Sequence, residues 1–149
     1  MKKNRIIALV LMMVMCVTFL SGCAFKEAVT SRKVVASEDQ KRLEVTLKAD
    51  TEKGYEWKYV ALSGNLTESQ SNLQNDLFSN TFIKEYVLSM NDTLSDTLVL
   101  FLIQNGDIEN ADAYLYEISF DGDNIKIGEP VKKTVGYDKD LMSAIERAK

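Results

Sequence analysis

The sequence predicts a mainly β fold, an antiparallel sandwich finished by a short C-terminal helix. Three patterns carry that expectation. Residues 42–49 alternate apolar and polar, residues 98–103 are apolar without interruption, and only after Asp138 does the apolar spacing change from that of a strand to that of a helix. The composition agrees: 149 residues, 46% hydrophobic and 27% charged, suit one ordinary domain.

Taken in order, the best strand sets Leu43, Val45, Leu47 and Ala49 against Arg42, Glu44, Thr46 and Lys48. A second strand runs from Tyr55 to Leu62, with Tyr55, Trp57 and Tyr59 on one face and Glu56, Lys58 and Val60 on the other. Residues 63–76 are rich in Ser, Asn, Gln and Thr and read mainly as loop, with Leu73 and Leu77 spaced for a short helix. Residues 81–90 return to strand, with Phe82, Tyr86, Leu88 and Met90 on one side, and residues 91–96 supply turn formers.

The run Leu98-Val99-Leu100-Phe101-Leu102-Ile103 has no polar face and belongs to a central strand covered on both sides. Asn105-Gly106 opens a polar loop extending to Asp112, after which Tyr114, Tyr116, Ile118 and Phe120 share one face of a further strand. Asp121-Gly122 is a tight-turn signal that lets residues 124–127 pair back as a hairpin. In the tail, Leu141, Ile145 and Ala148 form a helical stripe with Met142 beside it. Six or seven strands and one terminal helix match an antiparallel immunoglobulin-like β-sandwich, with a mixed α+β sheet as the alternative.

The N-terminus reads as an address. Lys2, Lys3 and Arg5 precede an uncharged, mostly apolar run from Ile6 to Leu20, shorter than the roughly 20 residues of a bilayer span. The run closes with Leu20-Ser21-Gly22-Cys23, which resembles the lipobox of bacterial lipoproteins. The resemblance implies cleavage after a signal peptide of residues 1–22, diacylation of Cys23, and attachment to the outer side of the cytoplasmic membrane. An uncleaved anchor and a plain secretory signal are the competing readings. Residues 23–41 then serve as lipidated cysteine and tether, with room for one short edge strand, and residues 42–149 form the sandwich and its helix.

Cleavage there removes Cys16 and commits Cys23 to lipid, which leaves no thiol for a disulfide or a thiolate metal site. It also removes three basic residues, leaving 15 Lys and Arg against 22 Asp and Glu, a formal −7. Phosphate repels such a surface, so nucleic acid is not an expected partner.

The chain has no histidine, which excludes Ser-His-Asp and Cys-His nucleophile activation and imidazole metal ligation. Serine-lysine, nucleophile-elbow and phosphate-loop patterns are also missing. Asp92 with Asp96, or Asp107 with Asp112, are the carboxylate pairs available for hydrolytic chemistry, and both read as exposed turns. A calcium loop beginning at Asn105 fails on spacing, because its sixth residue is Asn110 rather than glycine and its twelfth is Tyr116 rather than glutamate. No metal, no cofactor and no enzymatic activity are expected.

Recognition by loops is what remains. The segment Asp50-Thr51-Glu52-Lys53-Gly54-Tyr55-Glu56-Trp57 follows the best strand and opens the next. It resembles the first inhibitory loop of chagasin-like cysteine-protease inhibitors, Asn-Pro-Thr-Thr-Gly-Tyr-x-Trp, on an immunoglobulin-like fold. Gly54, Tyr55 and Trp57 match; Asp50, Thr51, Glu52 and Lys53 depart, and neither the family's glycine-rich second loop nor its Arg-Pro-Trp third loop is present. The same three residues also serve a turn and a core without any ligand.

The sequence therefore points to a noncatalytic envelope binding module whose first candidate loop is Asp50, Thr51, Glu52, Lys53, Gly54 and Tyr55. The second candidate loop is Asn105, Asp107, Glu109 and Asp112. A protein ligand fits such loops. Inhibition of papain-type proteases is the alternative function, a carboxylate-dependent enzyme the second alternative, and the oligomeric state stays open.

Overall fold

Alternation along the strands decides which side chains are buried and in which of two cores. In the computed structural model, which describes residues 27–147, nine strands form two packed antiparallel sheets. The strands are β1 (Ser31–Ala36), β2 (Arg42–Asp50), β3 (Tyr55–Ala61), β4 (Thr67–Asp76), β5 (Thr81–Ser89), β6 (Asp96–Gln104), β7 (Asp107–Asp121), β8 (Asn124–Ile127) and β9 (Val131–Thr134). A single 3-10 turn (Val135–Tyr137) leads into helix α1 (Lys139–Arg147). The expected leader, residues 1–22, and Cys23 lie outside the described residues.

One sheet runs β1-β2-β5-β4; the other runs β3-β6-β7, with β8 and β9 both pairing to β7. The strand at Ser31–Ala36 falls in the stretch read as tether and pairs with β2 along its whole length, Ser31 opposite Lys48 and Ala36 opposite Leu43.

The principal core lies between the sheets. Leu43, Val45, Leu47 and Ala49 of β2 and Leu88 of β5 meet Trp57 of β3, Leu98 and Leu100 of β6, Tyr116 and Ile118 of β7, and Ile125 of β8. Burying each leucine contributes about 1.5–3 kcal/mol. Aromatic side chains cross the gap: the Trp57 indole N–H donates to the Lys48 carbonyl at 2.9 Å, and the Arg32 guanidinium stacks 3.3 Å from the centre of the Tyr114 ring.

A second core explains why β6 lacks a polar face. Val99, Phe101 and Ile103 point away from the first core and are covered by Val135, Leu141 and Ile145. Helix α1 is thus a third layer on the outer face of the β3-β6-β7 sheet. With nine residues it is too short to persist alone in water. Asp138 caps it, one carboxylate oxygen accepting from the Leu141 N–H at 3.0 Å, and Leu141 and Ile145 fix it to the sheet.

Two segments differ from expectation. Residues 67–76, read as loop or short helix, are β4, an edge strand almost wholly exposed that pairs with β5 from Thr67 opposite Ser89 to Asp76 opposite Thr81. A strand with neither face buried has no apolar alternation to reveal it. The polar loop expected over residues 105–112 is a two-residue turn: Asn105 (φ 51°) and Gly106 (φ 82°) join β6 directly to β7. Positive φ at both positions is the signature of a type I′ hairpin, for which Asn-Gly is the favoured pair.

Candidate functional site

Antiparallel pairing decides which turns share an end. Asp50, at the end of β2, is paired with Thr81 at the start of β5; Thr81 is paired with Asp76 at the end of β4; and Tyr55, opening β3, is paired with Gln104, closing β6. The β2–β3, β4–β5 and β6–β7 turns therefore converge on one end of the sandwich.

They are bonded to one another. The backbone N–H and the hydroxyl of Thr51 both donate to the Asn80 carbonyl, at 3.2 and 2.8 Å. The Asn105 N–H donates to the Gly54 carbonyl at 2.9 Å, and the Gln104 amide donates to the Lys53 carbonyl at 3.1 Å. Gly54 is required here twice over. Its φ is +73°, and a β-carbon would stand 1.9 Å from the Asn105 side-chain oxygen.

The first candidate loop divides into structural and presented residues. Asp50 is buried, accepting from the Lys53 N–H at 3.2 Å and pairing with the Lys53 ammonium at 3.2 Å. It organises the turn rather than facing a ligand. Thr51, Glu52 and Lys53 are exposed, and Gly54 and Tyr55 are half-buried.

Below this platform, where the sheets part beside the free edge of β3, a cleft of about 300 Å³ is lined by Thr51, Gly54, Tyr55, Glu56, Phe82 and Lys84 among others. Lys84 occupies an inward position on β5, opposite Leu47. Its ammonium donates to Glu56 and to the Trp57 carbonyl, both at 3.1 Å. This cation neutralises Glu56 and satisfies a carbonyl on the exposed edge of β3, a role consistent with lysine as a guard of sheet edges.

The second candidate set is a groove wall rather than a loop. Asn105, Asp107 and Asp112 line a second hollow with Tyr55, Leu102, Gln104 and Asn110, while Glu109 is exposed on β7 and does not line it. Its carboxylates are engaged locally. The Asn110 side-chain amide and then its backbone N–H hold Asp107 below the usual carboxylate range, at 2.7 and 3.1 Å, and Asp112 pairs with Lys132 at 2.8 Å. Among the described residues, no group of three or more acidic side chains is placed to hold a metal ion.

The carboxylate pair Asp92 and Asp96 needs a correction. Asp96 is buried, not an exposed turn residue, and its two oxygens accept from the N–H groups of Ser63, Asn65, Leu66 and Thr97 at 2.7–3.0 Å. With four backbone donors around it, this carboxylate ties the β3–β4 connection to β6 at the far end of the sandwich.

Sequence reasoning missed the β4–β5 turn. Leu77 and Phe78 are 78% and 77% exposed, whereas Ser79 and Thr81 beside them are buried. The only advance signal is two apolar residues, Leu77-Phe78, ending a polar stretch.

Compared with known proteins, the chain matches no family model, no curated protein and no solved structure.

Proposed function

We propose that the protein is a bacterial cell-envelope lipoprotein: an immunoglobulin-like sandwich held to the outer side of the cytoplasmic membrane by a diacylated Cys23 and acting as a noncatalytic binding module. The observation that carries the binding reading is the platform of three turns, cross-bonded through Thr51, Asn80, Gly54 and Asn105. Recognition loops gain affinity when they are ordered before the ligand arrives, because less conformational entropy is lost on binding. A noncatalytic role is supported by the absence of histidine and by the local pairing of Asp107 and Asp112. Two acyl chains supply durable attachment where one is marginal.

The anchor is tested by phase partitioning in detergent. The wild-type chain should enter the detergent phase and Cys23→Ala the aqueous phase; equal partitioning of the two removes the lipid from the proposal. The binding role is tested by crosslinking from Lys53 in intact envelope, where a discrete partner lost on deletion of residues 51–53 is expected and an unchanged adduct pattern counts against the platform.

A second reading, inhibition of papain-type proteases, is favoured by one observation: the loop carrying Gly54, Tyr55 and Trp57 shares its end of the sandwich with the β4–β5 and β6–β7 turns. The Lys53–Asp50 ion pair at its tip replaces the small neutral wedge of that family. Titrating papain with the domain decides this reading. Inhibition at micromolar protein, lost when Gly54 is replaced, supports it, and undiminished protease activity discards it.

A further inference from the structure

The β4–β5 turn is built with its polarity reversed. The Phe78 N–H donates to Asp76 at 3.1 Å, the Ser79 hydroxyl reaches Asp76 at 2.8 Å and the Thr81 hydroxyl at 3.0 Å, and the inward side of the turn is polar. Leu77 and Phe78 are left outermost, on a turn bonded through Asp76. Isolated apolar residues on a surface are ordinary, but two large neighbours at the tip of a rigid hairpin mark a contact surface.

The start of the described chain indicates what covers them. The Val29 N–H donates to the Thr81 hydroxyl at 3.1 Å, and the Thr30 hydroxyl accepts from the Asp50 N–H at 3.0 Å, so the chain leaves the domain beside this same turn. Val29 is itself 48% exposed. The six residue-to-residue steps from Cys23 to Val29 span at most about 22 Å when fully extended. A lipid on Cys23 therefore brings this end of the sandwich, and not the Asp96 end, to the bilayer.

We infer that the β4–β5 tip of the platform rests on the lipid bilayer, with Leu77 and Phe78 inserted at the boundary between headgroups and acyl chains as a second, noncovalent attachment beside the Cys23 anchor, while residues 51–53 beside it stay open to a protein ligand. The inference rests on the lipoprotein reading and adds a lipid contact to its platform. Among the described residues, the β2–β3 and β4–β5 turns carry Asp50, Glu52 and Asp76 and a single lysine, Lys53, which is paired with Asp50, so the contact is apolar and does not draw on attraction to anionic lipid.

The test separates the inference from the anchor on which it rests. All residues of both cores lie between Val34 and Ile145, and Cys23 is the only thiol after residue 22, so residues 23–149 can be coupled through Cys23 to a maleimide phospholipid without relying on bacterial acylation. In phosphatidylethanolamine–phosphatidylglycerol vesicles, the Trp of Phe78→Trp should lose about half its fluorescence to brominated acyl chains and resist aqueous iodide. Buried Trp57 supplies the background, read from the unsubstituted chain. With a single-chain lipid, the marginal case, Leu77→Ser with Phe78→Ser should shorten vesicle residence about tenfold.

Iodide quenching without bromine quenching overturns the inference and leaves the anchor standing. Shielding from both quenchers places a second copy on the tip and overturns it equally. An unmodified residue 23 in the mass spectrum of the full-length chain expressed in bacteria removes the anchor itself, whatever the quenching shows.

Discussion

The two ends of the sandwich use the same device to opposite effect. At one end Asp96 gathers the N–H groups of Ser63, Asn65, Leu66 and Thr97, and the segment it holds tucks Leu66 into the principal core, 7% exposed. At the other end Asp76 holds the β4–β5 turn through Phe78 and Ser79, yet Leu77 is 78% exposed. Both turns are ordered by a carboxylate, so exposure is not a product of disorder. A turn that serves folding buries its apolar residue; one that displays it gains no burial from that residue and leaves it free for the contact proposed above.

The largest effect should come from the clamp at the far end. Asp96→Ala leaves four backbone donors without their charged acceptor and should cost about 3 kcal/mol, read as a lower urea midpoint at unchanged slope. The paired leucines then separate the two ends directly. Leu66→Ala should cost about 2–3 kcal/mol through a cavity, whereas Leu77→Ala should change stability by less than about 0.5 kcal/mol. If Leu77→Ala destabilised as strongly as Leu66→Ala, the tip would be part of the core, and its assignment as a contact surface would fail.

The rigidity of the platform is open to a coupled measurement. Gly54→Ala should cost about 2 kcal/mol, part from the left-handed backbone and part from collision with the Asn105 amide. Asn105→Gly removes the obstructing side chain, so in the double variant only the backbone share, about 1 kcal/mol, should remain. Strict additivity of the two substitutions would mean that the β2–β3 and β6–β7 turns do not press on each other.

Elements that bury one face announce themselves, and the rest depend on chemistry that periodicity does not carry. Strand β2 and the doubly covered β6 follow directly from their apolar patterns, as does the Leu141–Ile145 stripe of α1. Strand β4 is held by backbone pairing to β5 and exposes both faces, so its Ser-, Asn- and Gln-rich sequence resembles a loop. Asn105-Gly106 does carry a local signal, a two-residue hairpin, and the acidic residues after it extend β7 because their side chains bond sideways to Asn110 and Lys132 rather than outward. Within the site, Gly54 is predictable from its residue type alone. The burial of Asp50 and Asp96 is not, since nothing local tells a carboxylate that will receive backbone donors from one that will meet water.

The smallest expected effect concerns the aromatic girders between the ends. The Tyr59 ring meets Tyr86 edge-on at 4.8 Å, and its hydroxyl donates to Glu68 at 2.8 Å, linking β3 to β4 across the sheets. Burial first, then the hydrogen bond and charge of Glu68, raise the Tyr59 phenol well above its ordinary value; burial followed by the charges of Glu68 and Glu56 raises Tyr86. A raised phenol pKa means that the folded state holds its proton more tightly than the unfolded chain does. The associated stability is therefore fully present below about pH 10 and declines as pH rises beyond it, once the unfolded chain releases protons that the folded one retains. Urea midpoints should fall more steeply above pH 10 in the wild type than in Tyr59→Phe, with Tyr59→Phe/Tyr86→Phe shallower again. Parallel alkaline limbs in all three would show that these phenols ionise alike in both states, and that the Glu68 contact is not a working brace between the sheets.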